Sequence, residues 1–281
     1  MLLKEFIPAP SVREYIRLYR IVHFVFDKNE ALPFKAYPPR PEHCLAFFPF
    51  DTEQLEITDR NKKIENIPVL LYGQPLAVTN RYVGREFLVF QIIFQPGALY
   101  RLTGMPACEL TDQYIDAEII FSSQLRQVNE QLFHAKSYEA MLEIGHRFAE
   151  QLIRRVKKDH HQVDEIGKLL LQQSGNLSID WLAGQSYLST RQFERKFKER
   201  TGINPKLFSR VIRFDNAFLL KNRSPQMDWL RIAIECGYHD YQHLVRSYKE
   251  FTGLSPAAFH ELENRSPERK FGLSETYYQA E

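Results

Sequence analysis

Leu188-Ser-Thr-Arg-Gln-Phe-Glu-Arg-Lys-Phe-Lys-Glu-Arg-Thr-Gly-Ile-Asn-Pro-Lys-Leu-Phe208 recurs further along the chain as His239-Asp-Tyr-Gln-His-Leu-Val-Arg-Ser-Tyr-Lys-Glu-Phe-Thr-Gly-Leu-Ser-Pro-Ala-Ala-Phe259. One constant offset superposes Arg195 on Arg246, Lys198-Glu199 on Lys249-Glu250, Thr201-Gly202 on Thr252-Gly253, Pro205 on Pro256 and Phe208 on Phe259. Between these identities the chemical type is kept: Phe193 faces Leu244, Phe197 faces Tyr248 and Ile203 faces Leu254. Self-similarity at fixed offset marks a repeated structural unit. Two copies are too few for a solenoid, so the chain carries a duplicated module.

Each copy follows one physical pattern. Ser189 or Asp240 stands where a helix N-cap accepts the first free backbone N–H groups. Apolar residues follow at helical spacing, with polar and basic residues between them. Thr-Gly closes the helix, because glycine tolerates the left-handed backbone of a C-cap. Asn-Pro or Ser-Pro then opens the next helix with proline in its first turn. A short apolar helix precedes each copy, over residues 178–183 and 228–235. Helix, tight turn, helix with a basic exposed face is the helix-turn-helix pattern. The second copy has Gly237 in its turn, and the first departs from this with Tyr187 near the equivalent place.

At these residues the chain resembles the AraC family of bacterial transcription regulators, whose C-terminal DNA-binding domain holds two helix-turn-helix units joined by a long helix. The joining helix here covers 206–221, where Arg213, Ala217, Leu219 and Leu220 look like the family's Arg-x-x-x-Ala-x-x-Leu-type signature. Ile232-Ala233, Gly237-Tyr238, Phe251-x-Gly253 and Ser255-Pro256 resemble its second-unit signature. The resemblance covers about residues 160–262, with several motifs in order and at the right spacing.

A chain of 281 residues suggests two domains, since single cores stop growing near about 250 residues. Hydrophobic content of 44% is that of an ordinary globular protein. No apolar run reaches the roughly 18 residues of a membrane span, and the N-terminus lacks the apolar core and cleavage site of a signal peptide. Cys44, Cys108 and Cys236 have neither metal nor disulfide spacing, which fits a reducing cytoplasm and small, at least partly buried apolar side chains. The net charge of +2 hides an uneven distribution. Between Arg191 and Arg223 ten bases face only Glu194, Glu199 and Asp215, an electrostatic footprint for phosphates when carried on helix-turn-helix units.

Residues 10–19 read as an opening helix. From about 20 to 95 the pattern turns to period two and to aromatic and β-branched residues, with candidate strands at 21–26, 44–48, 54–58, 69–72 and 87–94. Short strands at such spacing suggest a small barrel or sandwich, and the resemblance places a cupin-like regulatory domain here. Helices follow over 117–158, broken at 134–137, with apolar stripes that pack on the barrel or on a second chain. The expected fold is therefore α+β with two domains. Residues 1–158 form a β-rich cupin-like barrel with helices for regulation or dimerisation. Residues 159–264 form an all-α DNA-binding domain, and 265–281 a mobile tail.

The major groove admits one α-helix, whose N-terminal half reaches base edges. In the first unit the exposed face presents Thr190, Arg191, Glu194 and Arg195; in the second it presents Tyr241, Gln242, Val245 and Arg246, with His243 nearby. Arginine suits guanine, glutamate cytosine N4, glutamine adenine, and valine a thymine methyl. The family places its base contacts at these positions, although Arg195 and Arg246 could instead grip phosphate. Lys198 and Lys249 are assigned to phosphate, which fixes register without reading sequence. His239 and His243 have zinc-compatible spacing but no third ligand, and His23 and His43 lack the clustered ligands of a metal cupin. No metal, cofactor or catalytic set is expected.

These residues point to a cytoplasmic, non-enzymatic transcription regulator. Its expected partners are double-stranded operator DNA, a small-molecule effector in the N-terminal domain, a second copy of the chain, and RNA polymerase if it activates. Two alternatives stand beside it. One is a cupin-like enzyme with an attached DNA-binding domain; the other is a ligand-independent regulator acting through a protein partner.

Overall fold

A computed structural model describes residues 1–29, 31–57, 60–121 and 123–276. Ten strands make two antiparallel sheets. The six-stranded sheet runs in the order β1 (Leu2–Phe6), β2 (Ile16–Val25), β9 (Glu86–Phe94), β4 (Cys44–Phe47), β7 (Val69–Tyr72), β10 (Tyr114–Asp116). The four-stranded sheet runs β3 (Lys35–Tyr37), β8 (Thr79–Tyr82), β5 (Gln54–Ile57), β6 (Lys62–Ile64).

Alternation along the central strands places one set of side chains on each face. On β9, Phe87, Val89 and Ile93 enter the core shared with the four-stranded sheet, where Leu55, Ile57 and Ile64 meet them. Leu88, Phe90, Ile92 and Phe94 point to the opposite face, against helices. Those helices are α1 (Ala98–Thr103), α2 (Glu118–Phe121), α3 (Gln124–Phe133) and α4 (Tyr138–Ile153). The stripe of Leu125, Val128, Leu132, Met141, Ile144 and Phe148 covers that face. Ser137 caps α4 by accepting from Ala140 N at 3.2 Å. Of the two destinations expected for these stripes, the chain uses its own barrel.

The remaining residues form α5 (Gln162–Gln172), α6 (Ile179–Gln185), α7 (Thr190–Thr201), α8 (Pro205–Arg223), α9 (Trp229–Glu235), α10 (Tyr241–Thr252) and α11 (Pro256–Glu263). They share a third core, with Phe193, Phe197, Phe214, Leu244, Tyr248 and Phe259 among its most buried members. The two-layer β region followed by an all-helical region is the expected α+β class. No helix among the described residues is long and apolar enough to cross a membrane.

Three expectations are corrected. The opening helix is only a 3-10 turn at Pro10–Val12, because from Ile16 the chain pairs with β9, from Ile16↔Phe94 to Val25↔Glu86. Cys108 is exposed, whereas Cys44 and Cys236 are buried. The tail expected to be mobile is docked as far as it is described. Residues Pro267–Phe271 form a 3-10 helix, Glu268 and Glu275 are buried, and Phe271 stacks on Phe24 at 5.5 Å. Tyr277 and Tyr278 lie outside the described residues.

The two helix-turn-helix units rest on the β region through polar as well as apolar contacts. His43 is buried on the β side, where it lines a small cavity with Thr201 and Phe208, and within the β region its carbonyl accepts from Phe94 N at 3.0 Å. Burial, reinforced by the Arg17 guanidinium, pushes its ring from 6.5 down to about 4. The folded protein thus keeps His43 neutral while an unfolded chain protonates it near 6.5. Its contribution to stability is complete above that value and is lost as pH falls toward 4. We predict that His43→Gln flattens this acid limb of a urea-stability profile measured against pH; an unchanged limb contradicts it.

Candidate nucleic-acid interface

All seven helices described in the C-terminal part begin with a side-chain cap; on α5 His161 Nδ1 accepts from Val163 N at 3.1 Å. Ser178 accepts from Trp181 N, Ser189 from Gln192 N, Asn204 from Leu207 N, Asp228 from Leu230 N, Asp240 from His243 N and Ser255 from Ala258 N. Each bond satisfies a donor that the first helical turn leaves free. At the other end, α7 and α10 stop at Gly202 (φ 95°) and Gly253 (φ 75°), both in positive-φ backbone as the repeated Thr-Gly requires.

The turns of the two units also match bond for bond. Tyr187 N donates to Gly184 O at 3.1 Å and Leu188 N to Ala183 O at 3.2 Å. In the second unit Gly237 N donates to Ile234 O at 3.1 Å and Tyr238 N to Ala233 O at 2.9 Å. Both are Schellman closures, which need a left-handed residue after the helix. Gly237 supplies it at φ 75°, and Tyr187 is forced into it at φ 56°. Tyr187 is therefore the structural equivalent of Gly237, and its side chain is 92% exposed.

The predicted reading residues fall into two groups. Thr190, Arg191, Glu194, Arg195 and Lys198 on α7 are exposed, as are Gln242, Arg246 and Lys249 on α10. Tyr241, His243 and Val245 are half-buried. Thr190 Oγ1 donates to Asp180 Oδ1 at 3.1 Å, which ties α7 to α6. The His243 ring packs edge-on against Tyr238 at 5.3 Å. Burial first, then Arg213 and Arg246, lower its pKa below 6.5, so the ring is neutral at pH 7.

The basic run divides in the same way, and part of the expected phosphate footprint is structural. Arg200 is buried and donates through Nε and Nη2 to both oxygens of Asp164, each at 2.6 Å. Asp164 Oδ2 also accepts from His161 N at 3.1 Å, completing the capping box that starts α5. A Cβ on Gly97, just before α1, would lie 2.0 Å from Asp164 Oδ1. Arg213 donates to Gly237 O at 3.3 Å, so this residue of the signature braces α8 against the second turn. Lys221 donates to Pro225 O and Met227 O at 2.7 and 2.8 Å. Arg210 is paired with Glu250. Arg191, Arg195, Lys198 and Lys206 remain on the solvent side.

The β region holds both α7 and α10 by their C-terminal ends. Thr111 Oγ1 donates to Gly202 O at 2.8 Å, and Val78 N donates to Phe251 O at 3.1 Å. Asp112 joins the two supports, accepting from Leu76 N at 3.1 Å through Oδ1 and donating its own N–H to Gln74 O at 2.8 Å. The N-terminal halves of α7 and α10, where the assigned residues lie, project beyond these contacts. His239 is exposed beside Asp240, and among the described residues no three His, Cys, Asp or Glu side chains converge as a metal site.

Two stability predictions follow from this division. Arg200→Ala leaves the Asp164 charge buried without its partner and should cost about 3–5 kcal/mol, while Arg191→Ala should stay within about 0.5 kcal/mol; urea unfolding checks both. Tyr187→Gly relieves left-handed strain of about 1–2 kcal/mol at some cost in unfolded-chain entropy, for a net gain of about 0.5–1 kcal/mol. Equal costs for the two arginines, or a destabilised glycine variant, would contradict these assignments.

Residues 182–261 match the family described as Helix-turn-helix domain, and residues 4–116 match the Domain of unknown function (DUF6597). An uncharacterized HTH-type transcriptional regulator of Haemophilus influenzae is 31% identical over 91 residues, 32% of this chain and 30% of that protein. The HTH-type transcriptional regulator MtrA of Neisseria gonorrhoeae is 26% identical over 94 residues, 34% of this chain and 31% of that protein. The chain thus spans about a third of the length of these curated relatives. A crystal structure of ToxT from Vibrio cholerae aligns with a TM-score of 0.46 at 12% identity, covering 87% of this chain and 96% of that one. Two units that share caps, closures and core positions, joined by the long α8 and matched by the helix-turn-helix family over 182–261, make the C-terminal part of this chain a double helix-turn-helix domain.

Proposed function

We propose that the chain is a sequence-specific DNA-binding transcription regulator whose N-terminal β region responds to a small-molecule effector. One observation carries the reading: α7 and α10 expose equivalent N-terminal faces, each with an arginine at the shared position, Arg195 and Arg246. Arg191, Glu194 and Arg195 of α7, with Thr190 at its start, would read one major groove. Gln242 and Arg246 would read a second, with Tyr241, His243 and Val245 adding contacts from their half-buried positions. Two recognition helices about one DNA turn apart fit successive grooves on one face of the duplex. Lys198 and Lys249 would hold phosphates and set the register.

The proposed partners are operator DNA in the cytoplasm, a second copy of the chain and, for an activator, RNA polymerase. The apolar stripes of α3 and α4 are taken up by the barrel, so a dimer would pair through other faces. Selection of bound fragments from a random DNA pool tests the reading, with enrichment of a two-part asymmetric site as the expected result. Recovery of no sequence preference refutes it. On the selected site, Arg195→Ala and Arg246→Ala should each cost about 1–3 kcal/mol and relax one position, whereas Lys198→Ala should weaken all sequences alike and lower the salt slope by about 1.

A further inference from the structure

Residues of both sheets and of the segment that follows α11 line one cavity between the sheets. Val22, Phe24 and Val89 of the six-stranded sheet give it an apolar side, where Arg20 and Gln91 also reach it, and Lys35 and Arg81 sit on the opposing sheet. Pro267, Glu268 and Glu275 line the same space and leave a cavity of about 60 Å³. Phe271 lies 5.5 Å from the Phe24 ring and 5.3 Å from the Phe26 ring, and Leu273 packs on the same core. Lys35 Nζ is bonded to Glu268 and lies 3.6 Å from Glu275. Arg40 Nη2 donates to Glu275 at 2.7 Å. The segment thus offers the pocket an aromatic body and two carboxylates.

The manner of its docking makes it displaceable. Its backbone N–H groups bond back within it, Arg269 N to Ser266 O, Gly272 N to Arg269 O and Leu273 N to Glu268 O. Attachment to the β region therefore rests on side chains. Lys35 also carries Glu263 of α11 at 3.1 Å, so its ammonium is shared by three buried carboxylates, of which Glu275 has Arg40 and Glu263 has Arg269, at 3.7 Å, as a further partner. Like charges crowded in a buried site repel, and losing one or two of them costs less than losing a matched pair.

We propose that residues 267–275 are a built-in ligand of the pocket between the sheets, and that an amphipathic carboxylic acid competes with them. The acid's apolar body takes the place of Phe271, and its carboxylate takes that of Glu268 and Glu275 on Lys35 and Arg40. The released segment no longer ties the end of the second helix-turn-helix unit to the barrel. The inference rests on the reading of the N-terminal region as effector-responsive and supplies the effector's chemical class.

The probe is 4-phenylbutyrate, with 4-phenylbutan-1-ol as its neutral counterpart, titrated calorimetrically into the full chain without DNA. In Glu268→Gln/Phe271→Ala/Glu275→Gln the acid should bind at least tenfold tighter than in the unaltered protein, and the alcohol should show no such gain. In the unaltered protein the acid should speed tryptic cleavage after Arg269 and Lys270 several-fold, which needs no variant to fold. Equal affinity for the acid in both proteins, absence of binding included, overturns the proposal. So does an equal gain for the alcohol, or a cleavage rate that the acid leaves unchanged. Neither readout involves DNA, so a failed operator selection would count against the DNA reading and leave this result standing.

Discussion

The C-terminal ends of two helices are held by hydrogen bonds from the other half of this chain. The last turn of any α-helix leaves carbonyls with no partner inside the helix. In α7 and α10 such groups find donors on the β region, Thr111 for Gly202 and Val78 for Phe251. This satisfies polar groups that would be costly to bury unpaired. It also directs the opposite, N-terminal ends outward, where the helix dipole is positive and favours phosphate. The same support fixes both helices, through Asp112, so their relative placement depends on the β region as well as on α8.

The chemistry of the helical domain divides accordingly. Arginines at the C-terminal end of α7 and along α8 are structural: Arg200 on Asp164, Arg213 on the Gly237 carbonyl. Those in the N-terminal half of α7 are solvent-facing. Charge counted along the sequence cannot separate the two classes, because the partners of Arg200 and Arg213 come from other elements. Helical phase against Phe193 and Phe197 separates Arg191 and Arg195 from Arg200, and only with the caps fixed.

Local signals were legible wherever local physics decides. The period-two runs gave β2, β4, β5, β7 and β9 to within a few residues, apart from the start of β2, and the caps at Ser189 and Asp240 lie where the residues suggested. Strands β1, β3, β6, β8 and β10 were not visible. They are three to five residues long and hold polar residues such as Lys62 and Lys63, so only their pairing makes them strands. Residues 16–19 carry apolar spacing compatible with a helix, yet the long ladder to β9 prevails. The docking of the tail was hidden for the same reason: Lys35 and its tail partner Glu268 are 233 residues apart, and no window of sequence relates them.

One carboxylate stands at a crossroads. Asp164 starts α5, receives the guanidinium at the end of α7, and touches the backbone where α1 begins, so closely that Gly97 has no room for a methyl group. Three elements from both halves of the molecule therefore share a single joint. Any swing of the first reading helix away from the barrel must unlatch that joint as a whole, which makes such a movement a switch between discrete poses instead of a gradual drift.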